Sequence, residues 1–204
     1  MAADTTALPP NPLQDDVLDR LYRTARTYTS WLPEPISDET LREIYELTKW
    51  APTSANSCPA RFVFLKTDEA KERLLPALSE FNREKSRTAS AVALIAYDVE
   101  FYEQLPKLSP SRDFRSLFAA NATIAKETAF RNSSLQGGYF ILAARALGLD
   151  CGPMSGFDAE KVNSEFFPDG KWKINFVCNL GYGDPSKLYP RAPRLDFDEA
   201  CRLL

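Results

Sequence analysis

The sequence predicts a single α+β domain, and three observations carry that expectation. Apolar runs of strand length number about three or four and lie scattered among five or six helical patterns, so the order is mixed. No glycine-rich phosphate loop follows a strand, which argues against a doubly wound parallel sheet. The 204 residues are 44% hydrophobic, enough for one core of ordinary size.

The elements follow in order. Residues 1–12 hold three prolines and little to bury, which predicts a mobile tail ahead of one domain over 13–204. Val17, Leu18, Leu21, Tyr22 and Ala25 share one helical face, and the pattern runs into Arg26 and Thr27, a prospective anion-binding pair. Arg26 equally suits a solvated last-turn arginine facing the helix dipole. Ser37 is a good N-cap for a helix carrying Leu41, Ile44, Tyr45 and Thr48, which Pro52 ends. Arg61 to Leu65 then reads as a strand. The corner between them holds Thr53, Ser54 and Asn56, side chains that suit a ligand or simply the orphan groups of a helix end.

Asp68 is placed to cap a helix through Ala70, Leu74, Leu75 and Leu78, with Pro76 late in it suggesting a kink or an early end. Asn82 to Arg87 is polar throughout and reads as a solvated connection, whereas Ala91 to Tyr97 is a strand buried on both faces. Asp98 to Asn121 is irregular, with the length and aromatic content of a lid. Ala122 to Gly148 is the longest helical pattern, apolar almost all round from Leu135 onward, which predicts burial on every face and a close approach at Gly137 and Gly138. Cys151 to Asp158 reads as a glycine-bracketed turn, Asp158 to Phe166 as a short helix, Ile174 to Leu180 as a strand, and the tail as ending in another short helix.

Composition excludes several kinds of chemistry. The formal charge is −3, from 25 basic and 28 acidic residues in no long run, which leaves no footprint for nucleic acid or an anionic membrane. No run reaches the length of a membrane span and no signal peptide is evident, so a cytoplasmic protein acting on a small molecule is expected. Four widely spaced cysteines and no histidine disfavour a metal site and exclude Ser-His-Asp and Cys-His mechanisms. Carboxylate, lysine or tyrosine acid–base work remains, or chemistry lent by a cofactor.

Four stretches together resemble the FMN-dependent nitroreductase family: Arg26-Thr27, Trp50 to Asn56 with Pro59 to Phe62, Leu147 to Asp158, and Gly181-Tyr182-Gly183. The resemblance spans essentially residues 14 to 204. Within the family the chain is most similar to the malonic semialdehyde reductase branch of bacterial uracil degradation, through Ala25 to Thr27, Trp50 to Ala60, Glu127 to Ser134 and Gly152 to Phe157.

The resemblance implies a central mixed, mostly antiparallel sheet flanked by helices in a domain-swapped, obligate homodimer with two FMN at the interface. It also implies a ping-pong reduction of a small aldehyde by NADH or NADPH. Arg26 and Thr27 match the start of the phosphate motif, Thr29 stands where its second arginine is expected, and Arg191 and Arg194 match late phosphate-binding positions. Pro52, Thr53, Ser54 and Asn56 match a loop reaching the flavin of the other subunit. Asn82 and Lys85 match ring contacts, and Pro153, Met154, Ser155 and Gly156 match the turn at the ring's reactive edge. Lys85 and Gly156 are thereby the catalytic candidates, acting on the flavin's electrostatics, with no side-chain acid or base and no metal implied. Arg115, between Phe114 and Leu117-Phe118 in the lid-like segment, is the candidate for a substrate carboxylate. A broad nitroreductase or quinone reductase fits the same residues, as does a flavin-binding or interaction protein that has lost turnover.

Overall fold

The computed structural model describes residues 11–204; most of the expected N-terminal tail lies outside them. Four strands form one sheet in the order β1-β2-β4-β3: β1 (Ala60–Leu65), β2 (Ala91–Asp98), β3 (Asp150–Met154) and β4 (Trp172–Gly181). Every pair in it is antiparallel, and β1 is an edge. The parallel component of the expected mixed sheet is confined to an isolated bridge between Thr27 and Cys151.

Helices cover both faces. On one side lie α2 (Asp38–Thr48) and α7 (Ala122–Ala146), which bury Leu41, Ile44, Phe140 and Ala144 against Ala93, Ile95, Cys178 and Leu180. On the other lie α3 (Asp68–Leu74), α4 (Glu80–Arg87) and α8 (Ala159–Phe166), where Leu74, Leu75, Leu78 and Val162 meet Val92, Leu94 and Val177. β2 is sandwiched between these layers and Ala91 to Tyr97 are all buried, as its unbroken apolar run predicts. A third cluster around Phe101, Leu105 and Phe118 gathers α5 (Leu105–Leu108) and α6 (Phe114–Ala119) under the start of α7. A short α1 (Asp15–Leu18) opens the described chain and α9 (Phe197–Ala200) lies near its end.

Local chemistry sets the helix ends. The Ser37 hydroxyl accepts the Thr40 N–H at 3.0 Å, a cap contributing about 1 kcal/mol. Thr67, rather than the expected Asp68, caps α3, because Asp68 is already helical and lends its charge to the first turn. Pro76 turns the chain into a single tight turn, Leu75–Ala77, so α3 ends early as expected. Gly148 takes φ +91° just past α7, the left-handed conformation of a C-terminal cap.

Four local expectations change. The first helix passes into a π-helical turn, Asp19–Arg23, and stops there, so Arg26 and Thr27 lie on an extended ribbon. Asn82 to Arg87 forms α4 instead of a loop; Asn82 and Ser86 supply a buried face that counting apolar residues misses. Gly152, Pro153 and Met154 lie on β3, and the turn begins only at Ser155. Helix α7 is not buried all round: Leu135 and Tyr139 are 44% and 40% exposed, and a Cβ at Gly138 would meet nothing within 4 Å. At Gly137 the expected close approach is present, since the Phe176 ring lies 2.5 Å from where a Cβ would stand.

Candidate functional site

Two clusters of candidate residues form, joined by the ribbon from Arg26 to Leu32. The first is a cavity of about 500 Å³ lined by Tyr22, Ala25, Arg26, Thr27, Arg145, Pro190, Arg191, Ala192 and Arg194. Four guanidinium groups therefore converge on one hollow with no carboxylate in its wall. Among the described residues none of the four forms an ion pair; their hydrogen bonds go to backbone carbonyls. Arg26 donates to Tyr189, Arg145 to Leu21 at 3.0 Å, Arg191 to Ala25 at 2.9 Å, and Arg194 to Ala192 and Pro193 at 3.0 Å. Carbonyls orient these cations without neutralising them, which suits a dianion such as a phosphate monoester.

Arg145 carries no signal in the motif reading. It sits in the last turn of α7, where a basic residue ordinarily faces the helix dipole, and only the fold brings it beside Arg26. It brings a further guanidinium to the wall of that cavity. Thr29 is half-buried on the ribbon and does not line this cavity.

The second cluster stands where α4 meets the end of β3. The Asn82 amide donates to the Gly156 carbonyl at 2.8 Å, and the Ser79 N–H donates to the same carbonyl at 3.0 Å. This fixes the turn after β3 and leaves Ser155 and Gly156 exposed above it. Lys85 lies one helical turn beyond Asn82, half-buried and in no ion pair among the described residues, and burial lowers its pKa below the ordinary 10.5. A partly desolvated ammonium beside a fixed, exposed turn favours an anionic or electron-accepting planar ligand. Met154 is buried beneath, its sulfur accepting from the Ser86 hydroxyl at 3.8 Å, while Pro153 is half-buried in the strand.

The Pro52 to Asn56 loop belongs to neither cluster. The Ser54 N–H donates to the Asn132 side chain at 2.8 Å, the Asn56 amide to the Leu108 carbonyl at 2.8 Å, and the Thr53 hydroxyl accepts the Cys58 N–H at 3.1 Å. Ala55, Asn56 and Cys58 have φ of 54°, 51° and 39°, left-handed backbone without glycine on both sides of Ser57 at −72°, which stores strain in a surface loop. Pro52, Ser54 and Asn56 remain exposed. Arg115 stands apart on α6, its guanidinium paired in fork fashion with Glu103 at 2.8 Å through two nitrogens.

The fold is α+β, and one ribbon connects its arginine-lined cavity to the lysine-bearing end of α4. The chain belongs to the nitroreductase family, whose model matches residues 22–182. A Ralstonia nicotianae protein provisionally named an NADH dehydrogenase/NAD(P)H nitroreductase is 58% identical over 192 residues, covering 94% of this chain and 98% of its own. A similarly named Rhodopseudomonas palustris protein is 55% identical over the same shares. Among solved structures, a provisionally named Exiguobacterium sibiricum nitroreductase in complex with FMN matches with a TM-score of 0.82 at 22% identity, over 95% of this chain and 99% of that one.

Proposed function

We propose that the protein is an FMN-dependent NAD(P)H oxidoreductase that reduces malonic semialdehyde, or a similar small carbonyl acid, to the hydroxy acid. The observation that carries the cofactor reading is the four-arginine cavity with no carboxylate in its wall, joined by one ribbon to Lys85. Family membership and the FMN complex of the E. sibiricum structure support it. The aldehyde rests on the branch resemblance of Arg26-Thr27, Glu127 to Ser134 and Gly152 to Phe157.

The residues present fit FMN. Arg26, Arg145, Arg191 and Arg194, with Thr27, would hold the phosphate; Asn82, Lys85 and Gly156, with Pro153, Met154 and Ser155 of the same turn, would hold the ring. When bound, FMN supplies hydride transfer through its N5, in a ping-pong cycle that NADH or NADPH begins and the aldehyde ends. There the Lys85 ammonium would balance the charge that reduction leaves on the ring, and the fixed Gly156 turn would orient its reactive edge. Thr29 adds no charge, so Arg145 completes the phosphate set.

The loop from Pro52 to Asn56 faces outward, which suits contact with cofactor bound mainly to a second copy. Tyr45, Leu47, Trp50, Phe130, Leu135 and Tyr139 are large apolar side chains left exposed on α2, α7 and the following loop. Leu195, Phe197, Leu203 and Leu204 are equally exposed in the C-terminal segment, while β1 offers an unpaired edge. These features support an obligate, segment-exchanging homodimer. No helix among the described residues is long and apolar enough to cross a membrane, and cytoplasmic residence is part of the same reading.

The deciding experiment is an absorbance scan of the purified protein for a flavin band, then anaerobic reduction with NADH or NADPH and addition of malonic semialdehyde. Reoxidation of the flavin by the semialdehyde is expected. Colourless protein that does not take up FMN would reject the cofactor, and reoxidation only by nitroaromatics or quinones would move the reading to a broad reductase, as the relatives' names suggest.

A further inference from the structure

Trp31 belongs to neither cluster, yet it touches the backbone of the residue that carries the unpaired cation. The last carbonyls of a helix have no partner inside it and must be met from outside. At the end of α4 the Glu84 carbonyl is met locally, by the Thr88 N–H at 3.1 Å and the Thr88 hydroxyl at 2.9 Å. The Lys85 carbonyl instead accepts two side chains from distant parts of the chain: the Trp31 indole N–H at 2.8 Å and the Asn179 amide at 3.0 Å.

Both donors are themselves held. Asn179 is fully buried on β4. Trp31 bridges Gly183, and the Leu32 N–H donates to the Tyr182 carbonyl at 2.7 Å. Its ring fills a slot left by two glycines: a Cβ at Gly181 would stand 2.8 Å from its Cε3 and one at Gly152 would stand 3.3 Å from its Cζ2. The ribbon that ends in this slot begins at Arg26 and Thr27, in the arginine cavity, and is tied to β3 by the Tyr28 N–H on the Cys151 carbonyl at 3.2 Å. The place of the Lys85 Cα relative to the arginine cavity is thus set by the ribbon and the sheet end as well as by α4.

We propose that Trp31 is a positioning residue for Lys85, holding the last turn of α4 so that the ammonium stays in register with a cofactor anchored at Arg26. This rests on the reading of Lys85 as a cofactor-facing lysine. Trp31 touches no reacting atom in this account. Its effect runs through the carbonyl of the residue that bears the charge, so it acts on the reduced cofactor, whose ring is negative, more than on the oxidised one.

The test compares the affinities of apoprotein for oxidised FMN and, anaerobically, for reduced FMN. Lys85→Met is expected to weaken binding of reduced FMN relative to oxidised. Trp31→Phe keeps an aromatic ring in the slot and removes the N–H; it is expected to shift the same ratio in the same direction by about two- to tenfold, the worth of one hydrogen bond. The double variant should show no shift beyond that of Lys85→Met, because the two act through one group. Benzothienylalanine incorporated at Trp31, which keeps the bicyclic shape and lacks the N–H, should repeat the result if the phenylalanine variant folds poorly. An unchanged ratio at position 31 with a shifted ratio in Lys85→Met overturns the role of Trp31 alone. An unchanged ratio in Lys85→Met overturns the reading of Lys85 and the proposal with it.

Discussion

The Asn82 amide nitrogen lies 2.8 Å from the Gly156 carbonyl it donates to, and equally 2.8 Å from where a Cβ on Gly156 would stand. One side chain therefore both fixes the turn after β3 and forbids a larger residue there. Gly156→Ala must displace the Asn82 amide or the Ser79 hydroxyl, which would be 3.0 Å away. Overpacking of this kind costs about 1–3 kcal/mol, or roughly five- to a hundredfold in affinity if it falls on the cofactor site. We expect FMN affinity to drop within that range in a titration of the variant apoprotein and Tm to fall as well, since displacing the buried Asn82 strains the folded chain with or without cofactor.

The arginine cavity makes a second prediction about which part of the cofactor is held where. Arg26→Ala removes one of four guanidinium groups, and a charged hydrogen bond contributes about 1.5–3 kcal/mol, tenfold or more in affinity. FMN should bind at least tenfold more weakly to the variant. Riboflavin, which has the ring without the phosphate, should bind both proteins equally, and a matching loss for riboflavin would place the ring in this cavity instead.

Lys85 gives a prediction in pH. Burial lowers its folded pKa below the ordinary 10.5. Below the folded pKa both folded and unfolded chains hold the proton and the burial penalty is fully present. Between the folded pKa and about 10.5 only the unfolded chain holds it, so stability gains from this group as pH rises through that window. Removing the charge removes the penalty. Apoprotein Lys85→Met should be more stable than the parent at neutral pH, with the advantage shrinking as pH approaches 10.5; denaturant midpoints at several pH values measure it. An advantage independent of pH would mean that packing, and not charge, accounts for it.

These residues differ in how openly the sequence displays them. β2 was legible because seven apolar residues in a row admit almost only a strand covered on both faces, and the Ser37 cap was legible because capping is local chemistry, although the same reading placed the next cap one residue late, at Asp68. Helix α4 was hidden because its buried face is Asn82 and Ser86, whose burial depends on partners 74 and 68 positions away. Arg26 could be named from its motif, but Arg145 could not, since a last-turn arginine looks the same whether it faces solvent or a ligand. Asn175 and Asn179 are two amides within the apolar run from Ile174 to Leu180; the first bonds Ser133 and Ser134, and only the fold shows that the second meets the Lys85 carbonyl. The exposed stripe on α7 was misread for the opposite reason: apolar residues on every face signal burial, yet the single chain leaves Leu135 and Tyr139 uncovered, as the proposed dimer requires.

That stripe makes the dimer testable. Leu135→Glu places a charge on a surface exposed in the single chain, so folding of the chain itself should be spared, whereas an apolar interface of the size obligate dimers use, above about 2,000 Å² in total, would not tolerate it. Light scattering is expected to give the mass of one chain for the variant and two for the parent, with FMN lost on dissociation. A monomeric parent that retains FMN would reject both the dimer and the role of the Pro52 to Asn56 loop.

Arg115, the candidate for a substrate carboxylate, is held in this structure by Glu103. Its fork is occupied by Glu103, but both side chains are 45% exposed, and an exposed ion pair contributes only about 0–1 kcal/mol. A substrate carboxylate held close to the site can therefore exchange with Glu103 at small cost, and the arginine arrives already extended and oriented. Arg115→Ala should raise KM for malonic semialdehyde about tenfold while leaving KM for an uncharged quinone and the flavin content unchanged. Glu103→Gln frees the guanidinium and should lower KM for the semialdehyde, again without effect on the quinone. If both variants alter the two acceptors alike, the pair only braces α6, and another cation meets the carboxylate.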